Sequence, residues 1–475
     1  MTTPFAQPIS CKLIVESVSC AVSLSALSEV ISQKDNPAIL GGNESVQGQS
    51  IFTAEPVEVF EFALHEDQPF EKLQSVLSKY QIKQKKKVSD PFICGGFCGG
   101  WIGYFGYELG RYIEKLPGRA VDDLGFPVIR LGFYDKAILY DHRDDQFTLI
   151  VLDYQGQSQT AGQKIDDLRS WLTRAGEAAV PKPAKVDIDT VLMDAFTSNM
   201  TQDEYFKALE KTRQYIYDGE TYQINFSQRF SGAFGGRGID LFHWQNQFNP
   251  SPYAAYLAWD DRAVVSASPE LFLDVAGDSV TTKPIKGTRP RNPHIPDERG
   301  DNKDQFHALV CSEKDQAELA MIVDLERNDL ARVCVPGTRH VVCEREIESF
   351  PTVYHAVGIV QGQLRTGPEP GRIIELLKAT FPGGSITGAP KIRSMDIIDE
   401  LEPTARGVYT GSIGWIGLNY DVCWNIAIRT VLICGDRAYI QTGGGIVADS
   451  DPETEWHETL IKARALLAGV QAAGR

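Results

Sequence analysis

The sequence predicts an α+β fold built on antiparallel strands. Strand-like segments at 408–418, 422–433 and 437–441 follow one another with short turns, and strands joined in this way usually pair antiparallel. Three long helical segments, at roughly 303–329, 370–379 and 452–471, alternate with the strands only irregularly. This order favours an α+β fold over a doubly wound parallel α/β sheet.

The chain divides into an N-terminal region, 1–175, a linker, 176–198, and a C-terminal region, 199–475. The linker prediction rests on residues 175–190, which contain two prolines and no aromatic residue. A helix is predicted to follow, because Thr201 and Glu204 form a capping-box pattern. Apolar residues at helical spacing, beginning with Tyr205, continue that helix.

Composition excludes several classes of protein. The chain has 475 residues, 43% of them hydrophobic and 23% charged, which is typical of a globular protein. A net charge of −16 makes nucleic acid an unfavourable partner, since its phosphates repel such a surface. No segment approaches the roughly 18 apolar residues of a membrane span. The nine scattered cysteines indicate reduced thiols, so we expect a cytoplasmic protein with no membrane partner.

Acidic side chains on two predicted helices are candidates for a metal site. Glu455 and Glu458 share one face of the last helix with Lys462, at about 100° per residue. Glu318 precedes an apolar run, where an unpaired carboxylate would be costly. Carboxylate oxygens suit a hard cation such as Mg²⁺. Taken alone, each of these faces is better explained as ordinary solvated helix surface.

Basic residues and a glycine-rich loop supply candidate substrate contacts. Lys286 lies between a proline and a glycine and could act as a nucleophile, although neutralising a lysine near pH 7 costs about 4–5 kcal/mol. Arg429 lies on a strand among small residues and could bind a carboxylate. The loop 381–391 could hold an anion through its amides and Thr387. A surface lysine, a surface arginine and a tight structural loop are the alternatives.

Several motifs in order along the chain resemble one family. They are Gly219-Glu-Thr-Tyr-Gln-Ile-Asn-Phe-Ser-Gln-Arg229, Ser268-Pro-Glu270, Pro284-Ile-Lys-Gly-Thr288, Met321-Ile-Val-Asp-Leu-Glu-Arg-Asn-Asp-Leu330, Val353-Tyr-His355, Gly384-Ser-Ile-Thr-Gly-Ala-Pro-Lys391, Asn425-Ile-Ala-Ile-Arg429 and Gly443-Gly-Gly-Ile-Val-Ala-Asp-Ser-Asp-Pro452. Together they resemble the chorismate-utilising enzymes, which include anthranilate, aminodeoxychorismate, isochorismate and salicylate synthases. The stretch Gly100–Arg111 resembles the leading region of the same family.

The resemblance implies a fold and a set of residue roles. The fold would be a sandwich of antiparallel β-sheets flanked by helices, like that of anthranilate synthase component I. By resemblance, Mg²⁺ is held by three carboxylates and grips the ring carboxylate of chorismate; these are Glu318, Glu455 and Glu458. Arg429, Lys462 and the backbone around Gly443 would bind carboxylates. Thr387 and His355 would line the ring, and Glu270 would protonate the departing 4-hydroxyl.

Two positions favour the aminodeoxychorismate synthase branch. The isochorismate and salicylate synthases carry a water-activating lysine where this chain has Gln223. Anthranilate synthases usually carry alanine where this chain has Lys286, the residue taken in the aminating branch to attack C2 of chorismate. The resemblance therefore implies amination at C4, with ammonia from a glutamine amidotransferase partner. An anthranilate synthase subunit and a non-catalytic aromatic-binding subunit are the alternatives.

Three details depart from this pattern or leave it open. The family's usual Glu-His-Leu-Met reads Glu318-Leu-Ala-Met321 here, and its usual tyrosine after the metal-binding glutamate is Trp456. Neither change removes a proposed ligand. Ile14-Val-Glu-Ser17 resembles the family's tryptophan-site motif, so tryptophan is an additional candidate ligand in the N-terminal region.

Overall fold

The strands provide the framework of the molecule. The structure is a computed structural model that describes residues 7–83, 96–180, 182–186, 191–365 and 369–474. Its strands, numbered in chain order, are β1 (Ile9–Val18), β2 (Ala38–Leu40), β3 (Gln49–Thr53), β4 (Glu58–Phe62), β5 (Tyr80–Ile82), β6 (Gly100–Phe105), β7 (Ile129–Tyr134), β8 (Lys136–Asp141), β9 (Gln146–Tyr154), β10 (Thr197–Ser198), β11 (Gln223–Ala233), β12 (Tyr253–Trp259), β13 (Arg262–Ser268), β14 (Leu271–Ala276), β15 (Ser279–Lys283), β16 (Ile285–Pro290), β17 (His340–Ser349), β18 (Val353–Gln363), β19 (Gly388–Ala389), β20 (Ser412–Gly417), β21 (Val422–Asn425), β22 (Thr430–Cys434) and β23 (Arg437–Ile446).

Hydrogen bonding gathers these strands into two sheets. The first has the order β10-β11-β23-β22-β13-β12-β2-β3-β8-β9-β1-β5, with β19 also paired to β11. The second has the order β16-β18-β15-β14-β21-β20-β6-β7-β4, with β17 also paired to β18. Among these strands the pairings are antiparallel, except that β1 and β5 are parallel. The predicted α+β fold with antiparallel sheets is confirmed.

Helices flank the two sheets. They are α1 (Leu24–Ser32), α2 (Pro69–Leu77), α3 (Ala161–Glu177), α4 (Gln202–Tyr217), α5 (Gly238–Phe248), α6 (Gly300–Val310), α7 (Glu313–Ala331), α8 (Glu369–Thr380), α9 (Lys391–Leu401) and α10 (Pro452–Ala473), with short 3₁₀ turns at Tyr107–Tyr112, Met193–Ala195 and Gly384–Ile386. The capping box at Thr201 and Glu204 is present at the start of α4. Asp451 caps α10 by accepting a hydrogen bond from the Thr454 backbone N–H. In the described ranges, none of the helices combines the length and apolarity needed to cross a bilayer.

The two sheets pack against each other through an apolar layer. Ile102 of β6 and Ile413 of β20 belong to one sheet, and Val264 of β13 and Leu139 of β8 belong to the other; all four lie in one buried cluster. Strand side chains alternate between the two faces of a sheet, so the inner faces can be apolar while the helices cover the outer faces. This packing makes the sandwich and fixes the strand ends from which the site is built.

Strands from both predicted regions share each sheet. Leu40 of β2 pairs with Ala255 of β12 in the first sheet, and Gly103 of β6 pairs with Gly414 of β20 in the second. Helix α3 ends at Glu177, close to the predicted start of the linker. Residues 181 and 187–190 of that linker lie outside the described residues. The boundaries 1–175, 176–198 and 199–475 stay a prediction.

Two predicted elements are interrupted in the structure. The helix predicted at 303–329 is two helices, α6 and α7, because α6 ends with Cys311 as its C-cap and Ser312 then caps α7 by accepting from the Asp315 N–H. The strand predicted at 422–433 is also two strands, β21 and β22. Arg429 lies between them with φ +49°, a left-handed conformation that breaks the regular alternation of strand faces.

Candidate active site

Lys286 lies on β16 at an irregularity in its pairing with β18. The register shifts between Ile285 and Thr288, and Gly287 has φ +90°, which glycine adopts without strain. The Lys286 amino group donates to the backbone carbonyl of Ser385, 3.1 Å away. Burial of this amino group lowers its pKa, while the carboxylates of Glu318 and Glu270 oppose that change. The neutral, nucleophilic form is therefore more accessible than in an exposed lysine.

Glu270 lies between β13 and β14 and is 3% exposed. The Ile285 backbone N–H donates to its Oε1 at 3.4 Å. Burial raises the pKa of Glu270, and Ser385 and Lys286 oppose the shift. A carboxyl group with a raised pKa keeps its proton to higher pH, which is what a general acid requires.

The three candidate metal ligands come from two helices. Glu318 is on α7, and Glu455 and Glu458 are one turn apart on α10. Glu455 Oε1 accepts from the Ser450 hydroxyl at 2.7 Å. A Cβ atom on Gly444 would lie 2.9 Å from Glu455 Oε2 and 3.9 Å from Glu458 Oε1. The two α10 carboxylates therefore both lie over Gly444, where a side chain would intrude between them and β23.

Lysines lie close to two of these three carboxylates. Lys462 Nζ is 2.7 Å from Glu458 Oε1, and Lys314 Nζ is 3.9 Å from Glu318 Oε1. Burial alone would raise the pKa of Glu458, but Lys462 and Lys314 lower it below its ordinary value. In the part of the chain that the structure describes, no three acidic, histidine or cysteine side chains already form a metal cluster. Carboxylate oxygens are suitable ligands for a hard cation, and Gly444 leaves room for one beside Glu455 and Glu458. For all three carboxylates to contact the same ion, their side chains must first rearrange.

Gln223 links β11 to the acidic helix. Its Nε2 lies 3.3 Å from Glu318 Oε2, and a Cβ on Gly445 would lie 2.1 Å from the same Nε2. A side chain at Gly445 would therefore displace Gln223 from its place beside Glu318. A neutral amide cannot act as a base, so Gln223 can hold this carboxylate through its N–H but cannot activate water.

Arg429 lies within the electrostatic influence of Glu270, and His355 within that of Arg429. Burial lowers the pKa of Arg429 to about 10, against the opposing effect of Glu270, so the guanidinium is charged at neutral pH. His355 is 1% exposed, and its Nδ1 lies 2.8 Å from the Thr288 hydroxyl. Burial, and then the charge of Arg429, holds the pKa of His355 far below its usual range. His355 is thus a neutral ring, with an Nε2 that finds no hydrogen-bond partner among the described residues.

The remaining predicted residues are held by backbone contacts. The Thr387 hydroxyl donates to Gly383 O at 3.0 Å, which closes the glycine-rich loop. Lys462 Nζ donates to Gly443 O at 2.9 Å. These contacts place the loop and the β23 backbone beside the charged groups. They show a structural role for Thr387 in addition to its predicted one.

Sequence reasoning missed three supporting residues. Ser385 receives the Lys286 hydrogen bond, Thr288 contacts His355, and Ser450 contacts Glu455. All three stand inside the motifs quoted above, so their motif membership was the available signal. Nothing in the sequence pattern marked the Ser450 hydroxyl as a partner of Glu455.

The N-terminal motif Ile14–Ser17 lies within β1, near one edge of the first sheet. Val15 is 41% exposed, and Glu16 Oε1 accepts from Arg169 Nη2 at 2.7 Å. The contacts of Glu16 are those of a surface ion pair. Tryptophan binding in this region stays a prediction.

Comparison with known proteins gives the class. The pattern of the family described as chorismate binding enzyme matches residues 39–468. The chain belongs to this family of chorismate-binding enzymes. The motifs that resemble the chorismate-utilising enzymes lie within this matched range, which covers most of the chain.

Individual relatives show which enzymes of this family the chain is similar to. The chain is 39% identical to aminodeoxychorismate synthase component 1 of Bacillus subtilis (strain 168), over 78% of this chain and 76% of that protein. It is 38% identical to aminodeoxychorismate synthase component 1 of Escherichia coli (strain K12), over 84% and 82%. The solved structure of anthranilate synthase component I from Streptococcus pneumoniae TIGR4 matches with a TM-score of 0.74 and 29% identity, covering 88% of this chain and 92% of that chain.

Proposed function

We propose that this chain is the aminating subunit of an aminodeoxychorismate synthase, which converts chorismate and ammonia to 4-amino-4-deoxychorismate. The observation that carries the proposal is the position of Lys286. Its buried amino group is held on Ser385 O and lies in the electrostatic field of both Glu270 and Glu318. The product serves as the precursor of 4-aminobenzoate and hence of folate.

Substrate binding would use both the acidic and the basic side chains of the site. Members of the family generally depend on Mg²⁺, and here Glu318, Glu455 and Glu458 would hold it. The bound ion would supply positive charge to the ring carboxylate of chorismate. Arg429 and Lys462 would bind carboxylates directly, as charge-assisted donors.

The proposed chemistry proceeds in two displacements. The neutral Lys286 nitrogen forms a bond to C2, the two ring double bonds shift toward C4, and the C4–O bond breaks. Glu270 gives its proton to the departing oxygen, which leaves as water. Ammonia then forms a bond to C4 as the C2–N bond to Lys286 breaks, and the lysine nitrogen keeps the electron pair. The ammonia-derived nitrogen loses its extra proton, which restores the charge balance. The enolpyruvyl group stays on the ring throughout.

The partner that supplies ammonia is proposed to be a glutamine amidotransferase subunit. The word "component" in the names of both relatives implies a second component. We place the reaction in the cytoplasm, because the eight described cysteines are free thiols.

Product analysis tests the proposal. The purified chain would be incubated with chorismate, Mg²⁺ and ammonium chloride, and the products separated by chromatography and identified by mass. We expect an aminated product that retains the enolpyruvyl group and that an added aminodeoxychorismate lyase converts to 4-aminobenzoate. Anthranilate plus pyruvate would instead establish the second candidate, an anthranilate synthase subunit, which the similarity to the Streptococcus pneumoniae structure favours.

A further inference from the structure

Glu326 is a buried carboxyl group that the proposed chemistry does not use. It lies on α7, two turns beyond Glu318, and is 7% exposed. Its Oε2 accepts from the Thr282 hydroxyl at 2.7 Å. Within the described ranges no lysine, arginine or histidine forms an ion pair with Glu326, whereas the nearby Asp329 is paired with Lys391. A buried carboxylate is costly without a cation.

Glu326 faces a small cavity behind the Lys286 site. Polar groups of Thr282, Glu326, Asp329 and Thr380 line it, together with Gly384 and apolar side chains. Its free space is about that of one water molecule. A Cβ on Gly384 would lie 2.7 Å from the Leu325 side chain and 3.6 Å from the Glu326 side chain, so the loop backbone packs directly against this part of α7.

Two chain segments that line the cavity lead on to the reacting groups. Gly384 directly precedes Ser385, whose carbonyl accepts the Lys286 hydrogen bond. Thr282 is on β15, four residues before Lys286 on β16. The charge of Glu270 also acts on the carboxyl group of Glu326. A small molecule in this cavity would therefore lie one residue along the loop from the carbonyl that holds the nucleophile, and within the electrostatic influence of the general acid.

We propose that Glu326 and Thr282 bind ammonium in this cavity and deliver ammonia to the ring beside Lys286. The inference rests on the proposed amination and assigns the nitrogen substrate a place in it. Ammonium is close to water in size and offers N–H donors in four directions, which suits a carboxylate and a threonine oxygen in a space of this volume. It also supplies a positive charge in direct contact with Glu326, where Lys391 acts only from a greater distance.

The same carboxylate would convert ammonium to the nucleophile. Burial, and then the charges of Glu270 and Asp329, raises the pKa of Glu326 to about 8. Its carboxylate form is therefore a stronger base than an ordinary glutamate. One proton passes from ammonium to Glu326, which gives neutral ammonia and a carboxylic acid. The ammonia nitrogen then bonds to C4 as described above, and Glu326 returns its proton to solvent.

The test uses steady-state kinetics with ammonium chloride as the nitrogen source. Glu326→Gln keeps the size of the side chain and removes its charge and basicity. Because a hydrogen bond to a charged group contributes about 1.5–3 kcal/mol, we expect the KM for ammonium to rise about tenfold or more. The KM for chorismate should change less than about twofold. Asp324→Asn is the matched control, since Asp324 is an exposed carboxylate on the same helix, paired with Arg327, and it should leave both values unchanged.

Thr282→Val provides a second variant if Glu326→Gln does not yield folded protein. It removes only the hydroxyl group and should raise the KM for ammonium in the same direction, by about threefold. An unchanged KM for ammonium in the folded variants would overturn the inference and leave the cavity as an ordinary water site. If the wild-type chain forms no aminated product, the proposed function fails instead, so the two failures are distinguishable.

Discussion

Replacing Lys286 with methionine tests the proposed chemistry most directly. Methionine keeps most of the apolar stem and removes the amine that donates to Ser385 O at 3.1 Å. An unperturbed lysine is neutral in only about one molecule in 10³ at pH 7.5, and burial of Lys286 increases that fraction. Without the lysine no C2-linked intermediate forms, so ammonia has no C2–N bond to displace when it adds at C4. We therefore expect kcat to fall about 10³-fold or more, equivalent to about 4 kcal/mol of transition-state stabilisation.

The assay is formation of the aminated product with ammonium chloride, coupled to a lyase and measured as 4-aminobenzoate. Lys283→Met is the matched control, because Lys283 is three residues away and forms an ion pair with Glu348 at 2.8 Å. The control should retain activity within about threefold, as expected for the loss of a partly exposed ion pair. A Lys286→Met enzyme that aminates chorismate at close to the wild-type rate would refute covalent participation by Lys286.

The same variant also has an expected effect on stability. The pKa of Lys286 is lower in the folded chain than its ordinary value, so the unfolded chain binds more protons between the two pKa values. The wild-type chain consequently gains stability relative to Lys286→Met as the pH rises through that window. At neutral pH the variant should be the more stable protein, and denaturant unfolding at a series of pH values from 7 up to about 10.4, the ordinary lysine pKa, should show the difference shrinking. A loss of stability at pH 7 would contradict the argument.

Three further substitutions probe the other groups. Glu270→Gln should lower kcat about 10²–10⁴-fold. In a pH–rate profile the wild-type rate should fall as the pH rises through the raised pKa of Glu270, and this fall should be absent in the variant. If the fall persists in the variant, it belongs to another group. Arg429→Lys keeps the charge but loses the planar fork, so the KM for chorismate should rise about tenfold with little change in kcat, and an equal loss in kcat alone would argue against substrate binding. Glu318→Gln should raise the Mg²⁺ concentration for half-maximal activity by about tenfold or more, with calorimetric Mg²⁺ binding as the second measurement; unchanged Mg²⁺ dependence would remove Glu318 from the ligand set.

The sequence predicted the fold where local signals are strong. The cap residues Thr201 and Asp451 mark the true starts of α4 and α10, because capping is a local interaction. The break at Arg429 was missed, since its φ of +49° follows from tertiary contacts such as the hydrogen bond from Ala267 N–H to Arg429 O at 3.0 Å. The continuity of both sheets across the linker depends on long-range pairing, such as that of Leu40 with Ala255, which periodicity does not encode.

The candidate site was predictable in composition but not in arrangement. The motifs identified Lys286 and Glu270, and the structure brings both beside Ser385. Which carboxylate pairs with which lysine follows from the folded positions of α7 and α10, as in the contact between Glu458 and Lys462. Glu326 was overlooked, because a glutamate within a helical motif is usually a surface residue, and only its burial marks it as unusual.

Basic side chains beside the acidic ones explain how this site stays folded before its ligands bind. Carboxylates one turn apart on α10 repel each other, and Lys462 offsets that repulsion by contacting Glu458 while it also donates to Gly443 O at 2.9 Å. An ammonium group has three donors, so the third donor of Lys462 is left for a substrate carboxylate. In the proposed complex, the two positive charges of the divalent cation would equal the two negative charges of the substrate carboxylates. Their joint binding would preserve the balance between acidic and basic side chains, whereas binding either alone would disturb it, so Mg²⁺ and chorismate should strengthen each other's binding.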